Sequence, residues 1–554
     1  MENRYTAEQL NSLSKEQLIG LVIGMQKQLD GMNQKLEDLI EQIRIANSYR
    51  FGRKTEKLSQ IDGQLSLFNE VEASADESVP EPEFDEVVIK RKKKRGQRKE
   101  DLRDLPHESV IHRISDDTLD DLYGKGCWKR IPSDTYQRVR IQPARWIVED
   151  HEVQRAVGTR GDHQDEFISA EHPRSLFRDS IATESLVAAI DNAKYVNALP
   201  INRIMQEFER NGVFLSKQTM ANWSMYAAER FLAPLWDRLK EIQLSYPVNQ
   251  CDETPCQVIH DNDPDDPEDR KRAAGHKNYM WVHLCGEFYR DRPIILYEYQ
   301  RGRSHNVPQE YYKNYRGILE TDGLQQYHLI AENLPDVTSA NCWAHARRDY
   351  ADAIKAIGSK NTAAVRTSTA YQALERIGTI YKLEEGLAGL SAEERLNERK
   401  KNIGPLVEEY FAWVKSTLHD GTVLPRGKTA DGLNYSVNQE KYLRVFLTDG
   451  NVPIDNSASE RAVKPFVLGK KNWMFINTVR GAHASAITYS ITETAKANGL
   501  NPFYYLEHIF SVMKDYVTLD ENRKPDFSML PKSVIDELLP WSPSLPEKCQ
   551  KPRR

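Results

Sequence analysis

At 554 residues the chain exceeds what one compact core accommodates, and at ~150 residues per domain it divides into three or four modules. Its 76 basic against 82 acidic side chains give a net charge of −6, which excludes a uniformly basic nucleic-acid coat and confines any DNA surface to local patches. Six cysteines (Cys127, Cys251, Cys256, Cys285, Cys342, Cys549) lack a disulfide-like spacing, and no apolar run approaches the ~20 residues that span a bilayer. The expectation is a cytoplasmic protein with free thiols and no membrane partner.

Leu18, Val22, Met25, Leu29, Met32, Leu36, Leu39 and Ile43 alternate in spacings of four and three, a heptad seam with polar residues on the other faces. Residues 1–57 therefore read as a coiled coil through which the chain self-associates as a dimer or higher assembly. Ser14 with Gln17 resembles a capping box, and Gly52 gives a stop. The alternative is one long helix folded back on its own domain. Residues 58–100 read as a linker, acidic and Pro-containing over 69–86 and then basic. Its run Lys90-Arg91-Lys92-Lys93-Lys94-Arg95 suits sequence-independent phosphate contact, with Lys92, Lys93, Lys94 and Arg95 as DNA-binding candidates.

Residues 101–175 alternate apolar and polar side chains, as in Thr135 to Pro143 and Arg145 to Val153, and read as a small β-rich module. It holds only Cys127 beside scattered His107, His112, His151 and His163, without the paired spacing of a structural zinc site, so no zinc is expected. Over 176–245 the signals are helical: Ile181 to Asp191, Ile201 to Glu209, a turn at Asn211-Gly212, and Ser216 as N-cap of a helix through Gln218, Asn222 and Trp223. That order is a helix-turn-helix pattern, whose candidate DNA contacts are Lys217, Gln218 and Asn222.

From Pro247 the pattern switches to strands, Val248 to Ile259, Tyr279 to Phe288 and Pro293 to Tyr299, with the charged stretch Asp261 to Arg272 as a loop. A helix-like Val307 to Tyr315 follows. Then come a strand Gly317 to Thr321, a strand Thr338 to Trp343, and a helix Ala344 to Ala356. Three consecutive strands and then strand–helix alternation is the order of a ribonuclease H-like α/β core. The fold class is accordingly multidomain α+β, with core residues 246–359 and 448–516 separated by an α-helical insertion over 360–447 that includes a capping box at Ser391 and Glu394. Ser457 to Lys464 reads as a short helix limited by Pro465, and 517–554 as a polar C-terminal tail.

Asp252 on the first strand, Asp322 at the end of the fourth and Glu460 near a helix start are the candidate catalytic and metal-binding residues. Two divalent cations about 3.5 to 4 Å apart need hard oxygen ligands, and three carboxylates are the minimum for such a pair. Each acid also has a plain structural reading. Glu460 stands three residues after Ser457, as in a capping box; Asp322 precedes Gly323, as in a turn; Asp252 beside Glu253 could be a surface pair. Arg461, Lys464, Lys470, Lys471 and Arg480 cluster in sequence after Glu460, and Arg347 and Arg348 open a helix, so the first four and this arginine pair are further phosphate contacts. Trp473, after Asn472, is either a base-stacking surface or core. A Cys3His zinc site from Cys251, Cys256, Cys342 and His345 is disfavoured because alternation along one strand points Cys251 and Cys256 to opposite faces.

With these residues in place, the chain resembles the insertion-sequence-66 family of DDE transposases. The matching segments are Phe51-Gly52-Arg53-Lys54-Thr55-Glu56-Lys57, Asp252-Glu253-Thr254-Pro255, Asp322-Gly323-Leu324-Gln325-Gln326-Tyr327, Cys342-Trp343-Ala344-His345-Ala346-Arg347-Arg348, Asp455-Asn456-Ser457-Ala458-Ser459-Glu460-Arg461 through Gly469-Lys470-Lys471-Asn472-Trp473, and Thr494-Ala495-Lys496 with Asn498-Gly499-Leu500-Asn501-Pro502. The resemblance implies a bacterial, nucleoid-associated enzyme that binds the terminal inverted repeats of its element, cleaves the ends and joins 3′ ends to target DNA. It implies Mg2+ as cofactor, two ions with Mn2+ able to substitute, and Asp252, Asp322 and Glu460 as the triad. Companion proteins of the same element are possible partners. Two departures stand out: a single Cys127 where the family often pairs cysteines, and Leu324 where Tyr usually follows the glycine. A structure-specific nuclease of the same fold and a catalytically inactive DNA-binding regulator are the competing readings.

Overall fold

The computed structural model describes residues 174–178, 180–261, 277–304, 306–357, 362–421 and 425–552, with short stretches and single residues elsewhere. The linker, the basic run with Lys92, Lys93, Lys94 and Arg95, Cys127 and the heptad seam beyond residue 24 lie outside the described residues. At its described start the N-terminal helix has the expected reciprocal cap: Ser14 N–H donates to Gln17 Oε1 at 3.0 Å and Gln17 N–H to Ser14 Oγ at 3.3 Å. Of the small module, β1 (Arg155–Val157) and β2 (Phe167–Ser169) form an antiparallel pair.

Helices α1 (Glu184–Asp191), α2 (Ile201–Arg210), α3 (Lys217–Ala227) and α4 (Ala233–Gln243) follow. The turn after α2 contains Gly212 at φ 82°, and Ser216 caps α3 by accepting from Thr219 N–H at 3.0 Å. One π-helical turn, Ala228–Leu232, joins α3 to α4 without a break.

The architecture is mixed α+β around one five-stranded sheet. Strands β3 (Val248–Cys256), β5 (Asn278–Cys285), β6 (Ile295–Gln300), β7 (Gly317–Thr321) and β8 (Val337–Asn341) lie in the order β6-β5-β3-β7-β8. The pairs among β6, β5 and β3 are antiparallel, and those among β3, β7 and β8 are parallel. The parallel crossovers carry α5 (Asn306–Tyr311), shorter than the pattern suggested, and α6 (Gln325–Asn333). The first long apolar run is interrupted at Gln257, after which β4 (Val258–His260) pairs with β9 (Ile476–Thr478) away from the main sheet.

Alternation across the pleat gives the sheet two apolar faces. Met280, Val282, Tyr297, Tyr299 and Cys256 face α13 (Ser457–Trp473) and α14 (Val479–Ala497), whereas Cys251, Trp281 and Leu319 pack with Tyr311, Tyr312 and Tyr327. Edge strand β6 would expose a row of backbone donors and acceptors. Helix α14 covers it with hydroxyls four residues apart: Ser490 Oγ accepts from Tyr297 N–H at 2.7 Å, and Thr494 Oγ1 accepts from Ile295 N–H at 3.0 Å.

Between α7 (Trp343–Ile357) and α13 the chain forms α8 (Thr362–Thr367), α9 (Thr369–Glu385), α10 (Ala392–Glu398), α11 (Gly404–His419) and α12 (Lys428–Leu443). They close a core of their own with Trp343 and Tyr350, and Ser391 with Glu394 forms the capping box that starts α10.

Two expectations are corrected. Pro465 does not end the helix: α13 runs from Ser457 to Trp473 through it. Proline in a helix interior costs about 3 kcal/mol or more. Ala462, Val463 and Phe466 sit in the sheet-facing core, and each large apolar side chain buried there contributes roughly 1.5–3 kcal/mol, which offsets the lost bond. Residues 517–554 are not a polar tail either. Leu538, Leu539 and Leu545 are buried against α1, α4 and α15 (Pro502–Met513), Tyr505 Oη donates to Leu538 O at 2.6 Å, and Asn501 N–H donates to Cys549 O at 2.8 Å. Spaced leucines in a polar stretch were enough to dock the segment. No helix among the described residues is long and apolar enough to cross a membrane.

Gly469 tests the packing of α13. A Cβ there would run into Trp473 and the Tyr489 hydroxyl. Helix propensity alone favours Gly469→Ala by ~1 kcal/mol, but overpacking costs about 1–3 kcal/mol, so the substitution should lower the thermal midpoint. A raised midpoint would show the contact to be soft.

Candidate active site

Asp252 lies where β3 loses one neighbour. The register with β7 covers only Val248 to Gln250, so from Cys251 onward that edge of β3 is open, while β5 still pairs it through Cys256. Pro255, with no N–H for a ladder, falls in this open part. Asp322 follows the last residue of β7, two positions past the Gln250–Glu320 pair, which carries it to the same opening as Asp252. Its Oδ1 accepts from Leu324 N–H at 3.1 Å, so it does make the aspartate turn its sequence allowed. Gly323 serves that turn at φ 82°, where a Cβ would meet Tyr435 Oη at 2.5 Å and Asn341 Nδ2 at 2.8 Å.

Glu460 is placed by Asn456, which is fully buried. Asn456 Nδ2 donates to Cys251 O at 2.9 Å, its Oδ1 accepts from Gln250 Nε2 at 3.2 Å and Ser459 Oγ at 2.7 Å, and its N–H points to Cys342 Sγ at 3.1 Å. One residue thus ties the start of α13 to β3 and to the β8–α7 junction. Glu460 does not act as a cap. The N-cap is Asn456, and Glu460 turns instead toward α7, with Oε1 3.4 Å from Arg348 Nη2 and 3.8 Å from His345 Nε2.

Burial sets the charge state of the site. It pushes the Asp252 carboxyl well above the usual range, helped by the charges of Glu253, Asp322 and Glu460 and opposed by the Glu253 N–H. Burial and then Glu253 raise Asp322 to about 6, against the pull of the Leu324 N–H, Arg303 and Arg348. Burial also raises Glu460, with Arg348 the main opposing charge. His345 is driven down to about 3 by burial and by Arg348, so its approach to Glu460 is that of a neutral imidazole rather than an ion pair. Asp252 therefore feels both of the other acids.

The donor set suits a hard divalent cation, being carboxylate oxygen throughout, and Glu460 Oε2 is a buried oxygen without a hydrogen-bond partner. Among the described residues, however, no group of three His, Cys, Asp or Glu side chains stands close enough to hold a metal ion as positioned. Cys251 and Cys256 belong to opposite faces of the sheet, and Cys342 is engaged with Asn456.

Of the expected phosphate contacts, Arg348 is 57% exposed beside Glu460, and Lys464 lies near enough to favour its charged form. Arg461 pairs with Glu287 at 3.2 Å, and Arg347 lies over the Tyr381 ring. Lys470, ten residues and ~15 Å along the helix, donates to Pro255 O, while Lys471 is exposed. Arg480 pairs with Glu229 and is not at the site. Trp473 packs against Tyr489 in the core, and Asn472 donates to Ala198 O. Lys217, Gln218 and Asn222 are exposed on α3.

Sequence reasoning missed Glu253, Arg303 and Tyr327. Glu253 is no surface acid: its side chain is 1% exposed, paired with Arg303 and hydrogen-bonded by Tyr327 Oη. The available signal was an acidic residue on a strand flanked by cysteines, a place where a charge needs a partner.

The family model described as "Transposase IS66 family" matches residues 179–484, and one described as "Transposase C of IS166 homeodomain" matches 38–110. Three uncharacterized proteins of Sinorhizobium fredii are similar. They are y4jD at 26% identity over 68% of this chain and 69% of that protein, y4hP at 27% over 64% and 61%, and y4qI at 25% over 68% and 66%. The chain thus spans about two thirds of the length of these relatives. A chain in the crystal structure of a pre-cleavage Mos1 transpososome overlaps 32% of this chain and 63% of its own length at 13% identity. Its TM-score is 0.11, too low to carry an argument.

The Asp322 carboxyl yields a pH prediction. In the folded protein it keeps its proton up to about pH 6, and with the ordinary value of 3.8 only to about 4, so the folded state holds the extra proton between these limits. Folding stability attributable to this group is complete below about pH 4 and is lost as pH rises through 6, by about 3 kcal/mol. In chelator, Asp322→Asn should match the wild type near pH 4 and melt at higher temperature at pH 7.5. Parallel melting curves across that range would refute the assignment.

Proposed function

Since the chain belongs to the IS66 family of transposases, we propose that it is the DNA transposase of a bacterial insertion sequence, with Asp252, Asp322 and Glu460 as its catalytic carboxylates. The observation that carries this reading is that the fold brings Asp322 and Glu460, 70 and 208 positions after Asp252 in sequence, near enough to that buried carboxyl to raise its proton affinity. The sheet order supports a ribonuclease H-like core. Three antiparallel strands lead into two parallel ones, with the first acid on the first strand and the second just after the fourth.

Asp252, Asp322 and Glu460 would hold Mg2+, with Mn2+ as substitute. Bound there, the ions would activate a water or 3′-hydroxyl and neutralise charge on the leaving oxygen. The chain's own groups do the remaining work. To serve as ligands the carboxyls would have to be ionised, against the burial that favours their protonated form. Arg348 and Lys464 border Glu460 and are placed to meet a phosphate, and neutral His345 occupies the space between α7 and α13 without competing for negative charge. The exposed Lys217, Gln218 and Asn222 of α3 would read the terminal inverted repeats. The homeodomain match over 38–110 supports a second DNA-contacting segment containing Lys92, Lys93, Lys94 and Arg95. Self-association through the N-terminal seam would bring two ends together, with target DNA and element-encoded companions as further partners.

Asp252→Ala and Glu460→Ala should each abolish end cleavage and joining of pre-cleaved ends while DNA binding is retained. Wild-type cutting without joining would make the protein a nuclease; binding with neither reaction in Mg2+ or Mn2+ would make it a regulator and sink the transposase reading.

A further inference from the structure

Helix α3 leads into a basic cleft that none of the expected DNA contacts includes. Gln218, Asn222, Tyr226 and Arg230 follow one another at spacings of four, a row that runs along α3 and into the π-helical turn after it. Its first members are the exposed base-reading candidates. Its last member enters a cleft of about 420 Å3 lined by Arg174, Arg178, Arg230 and Lys514, with Thr518 and Leu519 on the C-terminal wall.

The cleft is built rather than incidental. Arg174 Nη1 donates to Asp515 O at 3.1 Å, tying the segment before α1 to the end of α15. Arg230 lies 4.6 Å over the Tyr226 ring and 5.5 Å from that of Phe177, and Arg480 covers Tyr226 from 4.9 Å. A guanidinium stacked on rings keeps its N–H edges directed at oxygen acceptors. Among the described residues, Glu184 pairs with Lys514 at 2.7 Å, Glu229 pairs with Arg480, and Asp515 contributes its carbonyl to Arg174. In a chain of net charge −6, four cationic side chains thus line one cleft.

We propose that this cleft clamps a backbone phosphate of the duplex whose groove α3 enters. A recognition helix meets base edges with its first turns, and its far end and neighbouring segments then reach the flanking sugar–phosphate backbone. The clamp rests on the DNA-binding reading above and adds Arg174, Arg178 and Arg230 to it as register-setting contacts that carry no sequence preference. It also gives the folded C-terminal segment a role, because Lys514 and residues 517–519 form one wall.

The test is binding of the full chain to a duplex of arbitrary sequence, followed by fluorescence anisotropy across a KCl series. Neutralising one phosphate contact lowers the slope of log K against log salt by about 0.9. The double variant Arg178→Gln/Arg230→Gln should therefore flatten the slope by about one to two, with an unchanged melting temperature, and Arg230→Lys should recover most of its share. Lys532→Gln/Lys548→Gln, which removes the same net charge outside the cleft, should leave the slope alone. An unchanged slope in the cleft variant, or an equal loss in the control, overturns the clamp while leaving DNA binding standing. A wild-type chain that binds no duplex overturns the underlying reading as well.

Discussion

The site depends on one buried amide. Asn456 has a side chain that both donates and accepts, and it spends both capacities on the remote strand β3, at the carbonyl of Cys251 and the amide of Gln250, while also accepting from the hydroxyl of nearby Ser459. Each buried polar group left unpartnered costs about 1–3 kcal/mol, so any displacement of α13 relative to β3 strands several at once. The amide thus fixes the register of α13 on β3, and Glu460 four residues later inherits it.

The helices between α7 and α13 secure the approach to that amide. Arg399, fully buried, is paired with Glu384 and donates to Phe446 O at 2.8 Å and Asp449 O at 3.1 Å; Arg395 donates to Gly450 O at 2.7 Å. Tyr381 then donates to Asp455 Oδ2 at 2.9 Å, and Trp343 N–H to Ile454 O at 3.1 Å. The loop from 446 to 456 is thus held by side chains from α9, from α10 and from the π-helical turn that follows α10, and by the backbone N–H that opens α7. Burying charge in these helices serves loop position, since a buried pair of this kind adds little net stability by itself.

The same burial leaves the carboxyls in an uncomfortable state. Asp252, Asp322 and Glu460 all sit with raised affinity for protons, and Arg303 and Arg348 compensate only partly. A site that is least stable when fully ionised is one that gains most from an arriving cation or protonation, which is how buried acid clusters trade folding stability for chemistry.

Much of this was legible locally. The N-caps at Ser14, Ser216 and Ser391, the strand Gly317–Thr321, the turn at Asp322-Gly323 and the opposing directions of Cys251 and Cys256 follow from side-chain period and short-range hydrogen bonding, which neighbours in sequence decide. What stayed illegible was every choice settled by burial between distant segments. Pro465 looked like a stop because its local cost is visible and the core beneath Phe466 is not. The alternative reading of Glu460 as a cap rested on Ser457, near it in sequence, whereas Arg348 and His345, which it faces, are near it only in space. Residues 517–554 looked like a tail because the apolar cluster that receives Leu538 and Leu545 is built with residues of α1, α4 and α15. Sequence alone determined the residue types, the order of strands along the chain and the candidacy of the three acids; tertiary structure decided which neighbours each of them meets. The reason is that hydrogen-bond caps and pleat alternation act over a few residues, while the energy of removing apolar and polar groups from water depends on partners the chain supplies from hundreds of positions away.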